Sequence, residues 1–249
     1  MKLDFYYWSY QCPINRKMLK LLTDYHSRLE IRTFDISLDT EKAKEMNMFF
    51  PALSVVDNRH RYFSPLSRNF LGLLCSGIIP KESPYSPVVG TKKKSGSIVP
   101  ITPENYETAG ACTAGKCHEN CVGKIRFLRA QGLSVFGFMN LGENGKLLGG
   151  AEYLPSVRVP YDIPKDDRTA FLTFVYLSDP VYDYKSAPLL ALENYLRSCF
   201  DRIIAVSDEA GIFPNGDMAF FKRNAYSDRE IISEEKVYCT LHLMGKNLV

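Results

Sequence analysis

A nearly continuous apolar segment in the C-terminal part of the chain constrains the fold more than any other feature. Residues 169–177 read TAFLTFVYL, so only two threonines interrupt the apolar side chains. Such a run is typical of a β-strand in the middle of a sheet with both faces covered. In residues 188–200, Leu189, Leu192 and Leu196 recur at helical spacing, with Glu193 on the opposite face. The sequence therefore predicts a strand, a loop and a helix of an α/β domain.

Further strand candidates surround this unit. Residues 134–140 and 146–153 are apolar and are separated by Gly142-Glu143-Asn144-Gly145, a composition suited to a hairpin turn. Residues 202–206 and 236–244 are predicted to be later strands, and residues 218–223 a helix. These elements predict a central mixed sheet within residues 98–249.

The segment after the predicted helix carries a second pattern. Asn215 is followed by Ala219-Phe220-Phe221 and, after four more residues, by Tyr226. Together with the strand–loop–helix unit, this pattern resembles the core of the GNAT superfamily, the acetyl-coenzyme A-dependent N-acetyltransferases. The resemblance covers residues 97–249. Residues 138–155, which follow residues 124–132, are similar to the YoaP-type branch of that superfamily.

The resemblance implies a coenzyme A site. In the superfamily, a strand matching residues 171–177 binds the pantetheine arm through its backbone, and the next loop binds the pyrophosphate at a helix N-terminus. The usual loop glycines are absent, and Pro188 lacks an N–H group. The cofactor contacts implied for this chain are Val175, Leu177, Asp183, Tyr184, Lys185, Ser186, Ala187, Leu189 and Asn215.

The resemblance also implies positions for catalytic groups. The tyrosine that often acts as general acid toward the coenzyme A thiolate falls on Phe221, which cannot donate a proton. Tyr226 is the candidate substitute acid, and its alternative role is packing in the core. Glu152, on the predicted third strand, is the candidate base that deprotonates the acceptor amine. The alternative for Glu152 is a surface glutamate at a strand edge.

The first 80 residues follow a different pattern, with the predicted order β-α-β-α-β-β-α. Cys12-Pro13-Ile14-Asn15 lies at the first strand–helix junction, and Phe50-Pro51 precedes the third strand. These landmarks resemble those of the thioredoxin fold, which implies Cys12 as a reactive thiol at a helix N-terminus. Asn15 replaces the second cysteine, so a monothiol mechanism and a degenerate binding module both stay open.

The composition between these regions predicts a linker. Residues 81–97 are rich in proline, glycine, serine and lysine and show no apolar period. The predicted organisation is therefore a thioredoxin-like domain at 1–80, a linker at 81–97 and a GNAT-like α/β domain at 98–249.

A cysteine cluster lies near the start of the second domain. Cys112, Cys117, His118 and Cys121 fall within ten residues, and thiolates with an imidazole can bind zinc or another thiophilic metal. The spacing is not that of two matched Cys-x-x-Cys pairs, so small buried thiols or a redox-active cluster are alternatives.

Composition excludes several classes of protein. The formal net charge is +3, and Lys92-Lys93-Lys94, the one tight basic run, is expected to be a solvated loop rather than a nucleic-acid site. No apolar run approaches the roughly 20 residues that span a bilayer, and the N-terminus does not read as a signal peptide. Seven cysteines, an odd number, favour reduced thiols and a cytoplasmic protein.

The leading functional hypothesis is an N-acetyltransferase that moves an acetyl group from acetyl-CoA to an amine of a small molecule or peptide. The alternatives are a catalytically degenerate binding or regulatory protein, and a thiol- or metal-responsive protein that uses Cys12 and the cysteine cluster. A homodimer is also predicted as an option, through the closing strand at residues 238–244.

Overall fold

A computed structural model describes residues 1–9, 11–12, 14–111, 118–177, 179–211, 215–236 and 238–249, without the side chains of residues 118–120. The chain divides into two compact units. Unit 1 consists of residues 1–83 and 160–162, and unit 2 consists of residues 84–159 and 163–249.

Unit 1 contains a four-stranded sheet. Its first two strands are parallel and its other neighbours are antiparallel, in the order β2-β1-β3-β4. Asp57 and Asn58, both at positive φ, make the tight turn between the last two strands. The elements are β1 (Lys2–Tyr7), α1 (Ile14–Thr23), β2 (Glu30–Asp35), α2 (Thr40–Glu45), β3 (Ala52–Val56), β4 (His60–Tyr62) and α3 (Arg68–Cys75).

The helices of unit 1 begin and pack as their sequences dictate. The Ser67 hydroxyl accepts a hydrogen bond from the Phe70 backbone nitrogen at 3.1 Å and so caps α3. Met18 and Leu22 of α1 and Leu71 of α3 are buried in one apolar cluster with residues of the sheet. The predicted order of strands and helices is therefore present, while the thioredoxin-like identity of this unit stays a prediction.

Unit 2 is a mixed α/β unit built on a seven-stranded mixed sheet. The strand order is β12-β13-β11-β9-β8-β7-β6, and a separate two-stranded ladder joins β5 to β10. The strands are β5 (Lys92–Lys93), β6 (Ser97–Ile101), β7 (Gly137–Leu141), β8 (Leu147–Pro155), β9 (Thr169–Tyr176), β10 (Tyr182–Asp183), β11 (Arg202–Asp208), β12 (Ser227–Glu235) and β13 (Cys239–Asn247).

In the described residues of unit 2, four α-helices accompany this sheet. They are α4 (Tyr106–Gly110), α5 (His118–Ala130), α6 (Ser186–Leu196) and α7 (Met218–Arg223). All eight residues of β9 are buried, as the apolar run predicted for a strand covered on both faces. Leu189, Leu192 and Leu196 of α6 pack into the same apolar cluster as Ala170 of β9 and Ile203 of β11.

The C-terminal strands differ from the sequence prediction. One closing strand was expected at 236–244, whereas the structure has two, β12 and β13. Hydrogen bonds flank β13 on both sides, to β12 and to β11. The pairing of residues 238–244 across a dimer is therefore wrong, because β13 has no open edge in this sheet. In the described part of the chain, no helix is long and apolar enough to cross a bilayer.

Candidate functional site

The two parallel strands at the centre of unit 2 diverge along their length. Their ladder contains only the pairs Arg202↔Thr169, Ile203↔Ala170 and Ile204↔Phe171, although both strands continue beyond it. Asn215 lies where they separate, and its Nδ2 donates to the Leu172 and Val206 carbonyls at 3.2 Å each. One buried amide therefore ties both strands together at the base of the opening.

The loop after β9 ends in a capped helix. The Asp183 carboxylate accepts hydrogen bonds from the backbone nitrogens of Lys185 and Ser186 at 2.9 and 3.0 Å, and from the Ser186 hydroxyl at 2.5 Å. A carboxylate therefore already occupies the positive end of α6. Pro188 has no N–H to add. The Lys185 and Ser186 N–H groups are therefore already hydrogen-bonded and are not available to an external anion.

Lys185 is buried at the same helix start. Its side chain is 3% exposed, and its Nζ lies 4.6 Å from the centroid of the Phe220 ring. Burial lowers the pKa of Lys185, and the carboxylates of Asp183 and Asp217 oppose this shift. This ammonium has no ion-pair partner among the described residues. Burial of a cation without an ion-pair partner costs free energy of folding. Lys185 is therefore a candidate functional residue and not only a packing residue.

A basic cavity of about 440 Å³ opens beside α6. Lys246 is neutralised there by Glu193, with Nζ 2.5 Å from Oε2. Lys93, Lys94 and Arg223 have no ion-pair partner in the described part of the chain. The cavity therefore carries uncompensated positive charge. Its lining residues are Lys93, Lys94, Ser95, Asp183, Ser186, Ala187, Leu190, Glu193, Arg223, Asn224 and Lys246.

The lysines of this cavity were not predicted as functional. The run at 92–94 was expected to be a solvated loop. Its residues are exposed, and Lys92 and Lys93 form β5, whose parallel pairing with β10 brings Lys93 and Lys94 to the cavity. The Nζ atoms of Lys92 and Lys94 lie 5.8 and 4.4 Å from the centroid of the Tyr182 ring. The only sequence signal was the density of positive charge just before the first strand of the large sheet.

Some of the predicted cofactor contacts line the cavity, and others are buried in the core or lie elsewhere in the loop. Asp183, Ser186 and Ala187 line the cavity. Val175 and Leu189 are buried in the apolar core instead. Of the others, Leu177 follows β9 with a φ of 65°, and the Tyr184 carbonyl accepts a hydrogen bond from Asn140 Nδ2 at 3.1 Å.

Glu152 lies in a buried polar network. Its Oε2 atom is 2.6 Å from Lys124 Nζ and accepts a hydrogen bond from the Tyr106 hydroxyl at 3.2 Å. Glu152 is 3% exposed and Lys124 is 5% exposed, so the interpretation of Glu152 as a surface residue is wrong. A base at this position has to work from Oε1, within an ion pair.

Tyr226 packs in the core of unit 2. Burial, followed by the nearby Glu193 carboxylate, raises the pKa of Tyr226 well above its ordinary value. Its ring lies 5.1 Å from that of Phe221 and 5.5 Å from Lys246 Nζ. The phenol therefore holds its proton firmly, and its position matches the packing role considered for it.

Cys12 lies in an enclosed part of unit 1. Its side chain is 8% exposed, and Asn15, at the position of the missing second cysteine, donates to the Trp8 and Pro51 carbonyls at 2.8 and 3.0 Å. The Tyr161 hydroxyl donates to the Gln11 side chain. Burial, followed by the charge of Cys12, raises the pKa of Tyr161 well above its ordinary value.

The predicted metal ligands are only partly described. Cys112 and Cys117 lie outside the described residues, as does the side chain of His118. Cys121 is fully buried and engaged in a disulfide, so it is not the reduced thiol that metal binding requires. No group of three or more histidine, cysteine, aspartate or glutamate side chains in the described ranges is arranged to hold a metal ion.

Comparison with known proteins gives structural neighbours but no sequence relatives. No protein-family model and no curated protein sequence matches the chain. A GNAT-family acetyltransferase from Bacillus cereus ATCC 10987 is 10% identical, covering 61% of this chain and 96% of its own, with a TM-score of 0.41. The phosphinothricin acetyltransferase of Sinorhizobium meliloti, solved with AcCoA, is 14% identical over 62% and 89%, with a TM-score of 0.42.

A third neighbour is the GNAT-family N-acetyltransferase YhbS of Escherichia coli, solved in complex with CoA. It is 12% identical, covering 66% of this chain and 84% of its own, with a TM-score of 0.38. The structural neighbours of this chain are thus GNAT-family acetyltransferases. At these identities and TM-scores, the likeness does not establish membership of that family.

Proposed function

We propose that unit 2 binds acetyl-coenzyme A and transfers its acetyl group to an amine of a small molecule or peptide. The observation that carries the proposal is the divergence of β9 from β11 after Phe171, followed along the chain by a helix with a basic cavity. A diverging parallel pair exposes strand backbone to an amide-containing ligand, and the cavity offers charge for phosphates.

The residues of the cavity fit the phosphate groups of this cofactor. Lys93, Lys94 and Arg223 are cations without ion-pair partners among the described residues. Because Asp183 caps α6, these side chains and the Lys185 ammonium, rather than backbone N–H groups, are the proposed phosphate partners. Leu177 and Asn215 frame the strand opening, where the proposed pantetheine contacts lie.

Bound acetyl-CoA would supply an activated thioester to the acceptor amine. In this proposal Glu152 accepts the amine proton at Oε1, since Lys124 and Tyr106 bind Oε2. Phe221 cannot protonate the leaving thiolate, which leaves as a stable anion without an acid. Tyr226, the candidate substitute acid, is buried in the core with a raised pKa, so the proposal does not require it.

The finer assignments stay proposals on the same footing. They are the YoaP-type branch, a thioredoxin-like domain at 1–80, a linker at 81–97 and an acyltransferase domain at 98–249.

A second candidate function is a non-catalytic binding protein on the same fold. The Asp183 cap favours it, because a carboxylate stands where the expected cofactor phosphates would bind.

Calorimetric titration of the reduced, full-length protein with acetyl-CoA tests the proposal. We expect micromolar binding that weakens as salt rises, since exposed lysines are screened. Release of free thiol in the presence of a panel of amines would then demonstrate transfer. Binding without thiol release for any amine refutes the transfer step, and no binding at millimolar acetyl-CoA refutes the proposal and leaves the non-catalytic alternative.

A further inference from the structure

A short strap, defined as residues 90–96, lies against the loop that leads into α6. The Gly90 nitrogen donates to the Asp179 carbonyl at 2.6 Å, and the Lys94 nitrogen donates to the Asp183 carbonyl at 3.2 Å. A Cβ at Gly90 would lie 2.2 Å from the Val181 carbonyl carbon, so only glycine permits this approach. Backbone hydrogen bonds therefore hold the strap against the loop.

Asn140 connects the strap and the loop from the neighbouring strand β7. Its side chain is fully buried. Its Oδ1 accepts a hydrogen bond from the Gly96 nitrogen at 2.8 Å, and its Nδ2 donates to the carbonyls of Tyr184 at 3.1 Å and Lys94 at 3.5 Å. One side chain thus fixes the spacing between the strap lysines and the start of α6.

The cavity receives cations from the strap and from a second element. Lys93 and Lys94 enter the cavity from the strap, and Arg223 enters from the end of α7. Lysine acts as a compact point charge that suits a phosphate, while arginine can bind one in bidentate fashion. Two separate elements therefore supply cations to the same cavity, enough for a diphosphate and for a further terminal phosphate.

We propose that the strap makes this cavity selective for a ligand with a terminal phosphomonoester beside its diphosphate, with Lys93 and Lys94 as the selecting residues and Asn140 as their positioning residue. The inference rests on the proposed function. Its chemical consequence is discrimination of coenzyme A from dephospho-coenzyme A, which differ only in that phosphate.

The test is a set of calorimetric titrations of the full chain with coenzyme A, dephospho-coenzyme A and adenosine 3′,5′-bisphosphate. The variants are Lys93→Ala with Lys94→Ala, Asn140→Ala, and Lys92→Ala as the matched control. Lys92 lies on the same strap as Lys93 and Lys94 but does not line the cavity. Thermal unfolding of each variant separates lost stability from lost selectivity.

We expect the unmodified protein to prefer coenzyme A by about tenfold or more, the worth of one charge-assisted contact. The double variant should lose that preference, because its affinity for coenzyme A should fall by more than its affinity for dephospho-coenzyme A. Asn140→Ala should reduce the ratio of the two dissociation constants, and Lys92→Ala should leave it unchanged.

Three results overturn the inference in different ways. Equal affinities of the unmodified protein for coenzyme A and dephospho-coenzyme A refute the selective role of the strap and leave the proposed function standing. Absence of binding to all three ligands refutes the proposed function as well. Equal losses of preference in Lys92→Ala and in the double variant also refute the assignment. The preference for coenzyme A would then come from the overall positive charge of the surface and not from Lys93 and Lys94.

Discussion

Asp183 and Ser186 are joined twice at the start of α6, where one carboxylate accepts both the backbone N–H and the hydroxyl of the serine. The helix therefore carries its own anion at its positive end. This arrangement stabilises the apo protein and places a negative charge beside the cavity where phosphates are proposed to bind.

Replacement of Asp183 by asparagine should strengthen binding of acetyl-CoA by about threefold to tenfold, because a negative charge next to the phosphates is removed. The same change should lower the free energy of unfolding by about 1 kcal/mol through a weaker cap. Calorimetry and urea denaturation measure the two effects.

Asp217→Asn is the matched control for this prediction. Asp217 caps α7 through the Phe220 nitrogen at 2.5 Å and does not line the cavity. It should lose similar stability with unchanged affinity. Weaker binding in Asp183→Asn would mean that its carboxylate supports the ligand site instead of opposing it.

Lys185→Met should remove a specific pH dependence of stability. Burial lowers the pKa of Lys185 in the folded protein below its unfolded value of roughly 10.4. Between those two values the unfolded state binds more protons, so the free energy of unfolding of the parent protein rises with pH in this range. The difference between parent and variant should therefore shrink as pH is raised from 7 to 10.

At neutral pH we expect Lys185→Met to be more stable than the parent by about 1 kcal/mol or more, since a buried unpaired charge is replaced by an apolar side chain. Urea denaturation across the pH series measures both effects. Lys222→Met, at an exposed position on α7, is the control. A pH-independent difference would show that Lys185 is protonated alike in both states.

Glu152→Gln separates a structural role from a catalytic one. It leaves the buried Lys124 ammonium facing a neutral amide, so the free energy of unfolding should fall by about 3 kcal/mol. Adding Lys124→Met should restore much of that loss. Chemical denaturation of the two single variants and the double variant gives the coupling energy.

Thiol release from acetyl-CoA then tests the proposed base. If Glu152 accepts the amine proton, the restored double variant should stay at least about a hundredfold less active. Recovery of activity together with stability would show that the pair only holds the fold.

Tyr161 should control access to Cys12. The Tyr161 ring packs edge-on against Trp8 at 5.3 Å and is tilted against Phe49 at 6.0 Å within unit 1. Tyr161→Ala should therefore speed alkylation of Cys12 by iodoacetamide about tenfold or more, because a buried thiol becomes accessible. Tyr161→Phe keeps the ring and should change the rate much less. Mass spectrometry of the alkylated peptides measures each site.

Cys199, an exposed free thiol, provides an internal standard in the same sample. Its alkylation rate should be equal in all three proteins. Equal Cys12 rates in the parent and in Tyr161→Ala would show that other groups enclose the thiol.

Local sequence patterns predicted the elements in which the spacing of apolar side chains matches the burial seen in the structure. The apolar run of β9 and three leucines of α6 are examples, because every strand residue is buried and Leu189, Leu192 and Leu196 face one core. Strand β12 was missed for the opposite reason. Its first five residues are exposed, and it pairs only with β13, so neither face imposes an apolar period.

The candidate site was less predictable because it depends on long-range partners. Glu152 was singled out from its strand, but Lys124, its ion-pair partner, comes from a helix 28 positions earlier in the sequence. Strand β5 has two residues and exists only through its pairing with Tyr182 and Asp183. No periodicity in a segment this short distinguishes a solvated lysine run from the wall of a cavity.

The strap also changes how the second unit should be cut from the chain. A fragment that begins at Ser97 retains all seven strands of the large sheet but omits three residues that line the cavity, Lys93, Lys94 and Ser95. It would also leave Asn140 without its Gly96 and Lys94 partners inside the fold. A boundary drawn by sheet content alone would therefore yield a folded domain with an altered ligand preference, whereas one that begins before Gly90 preserves the native charge of the site.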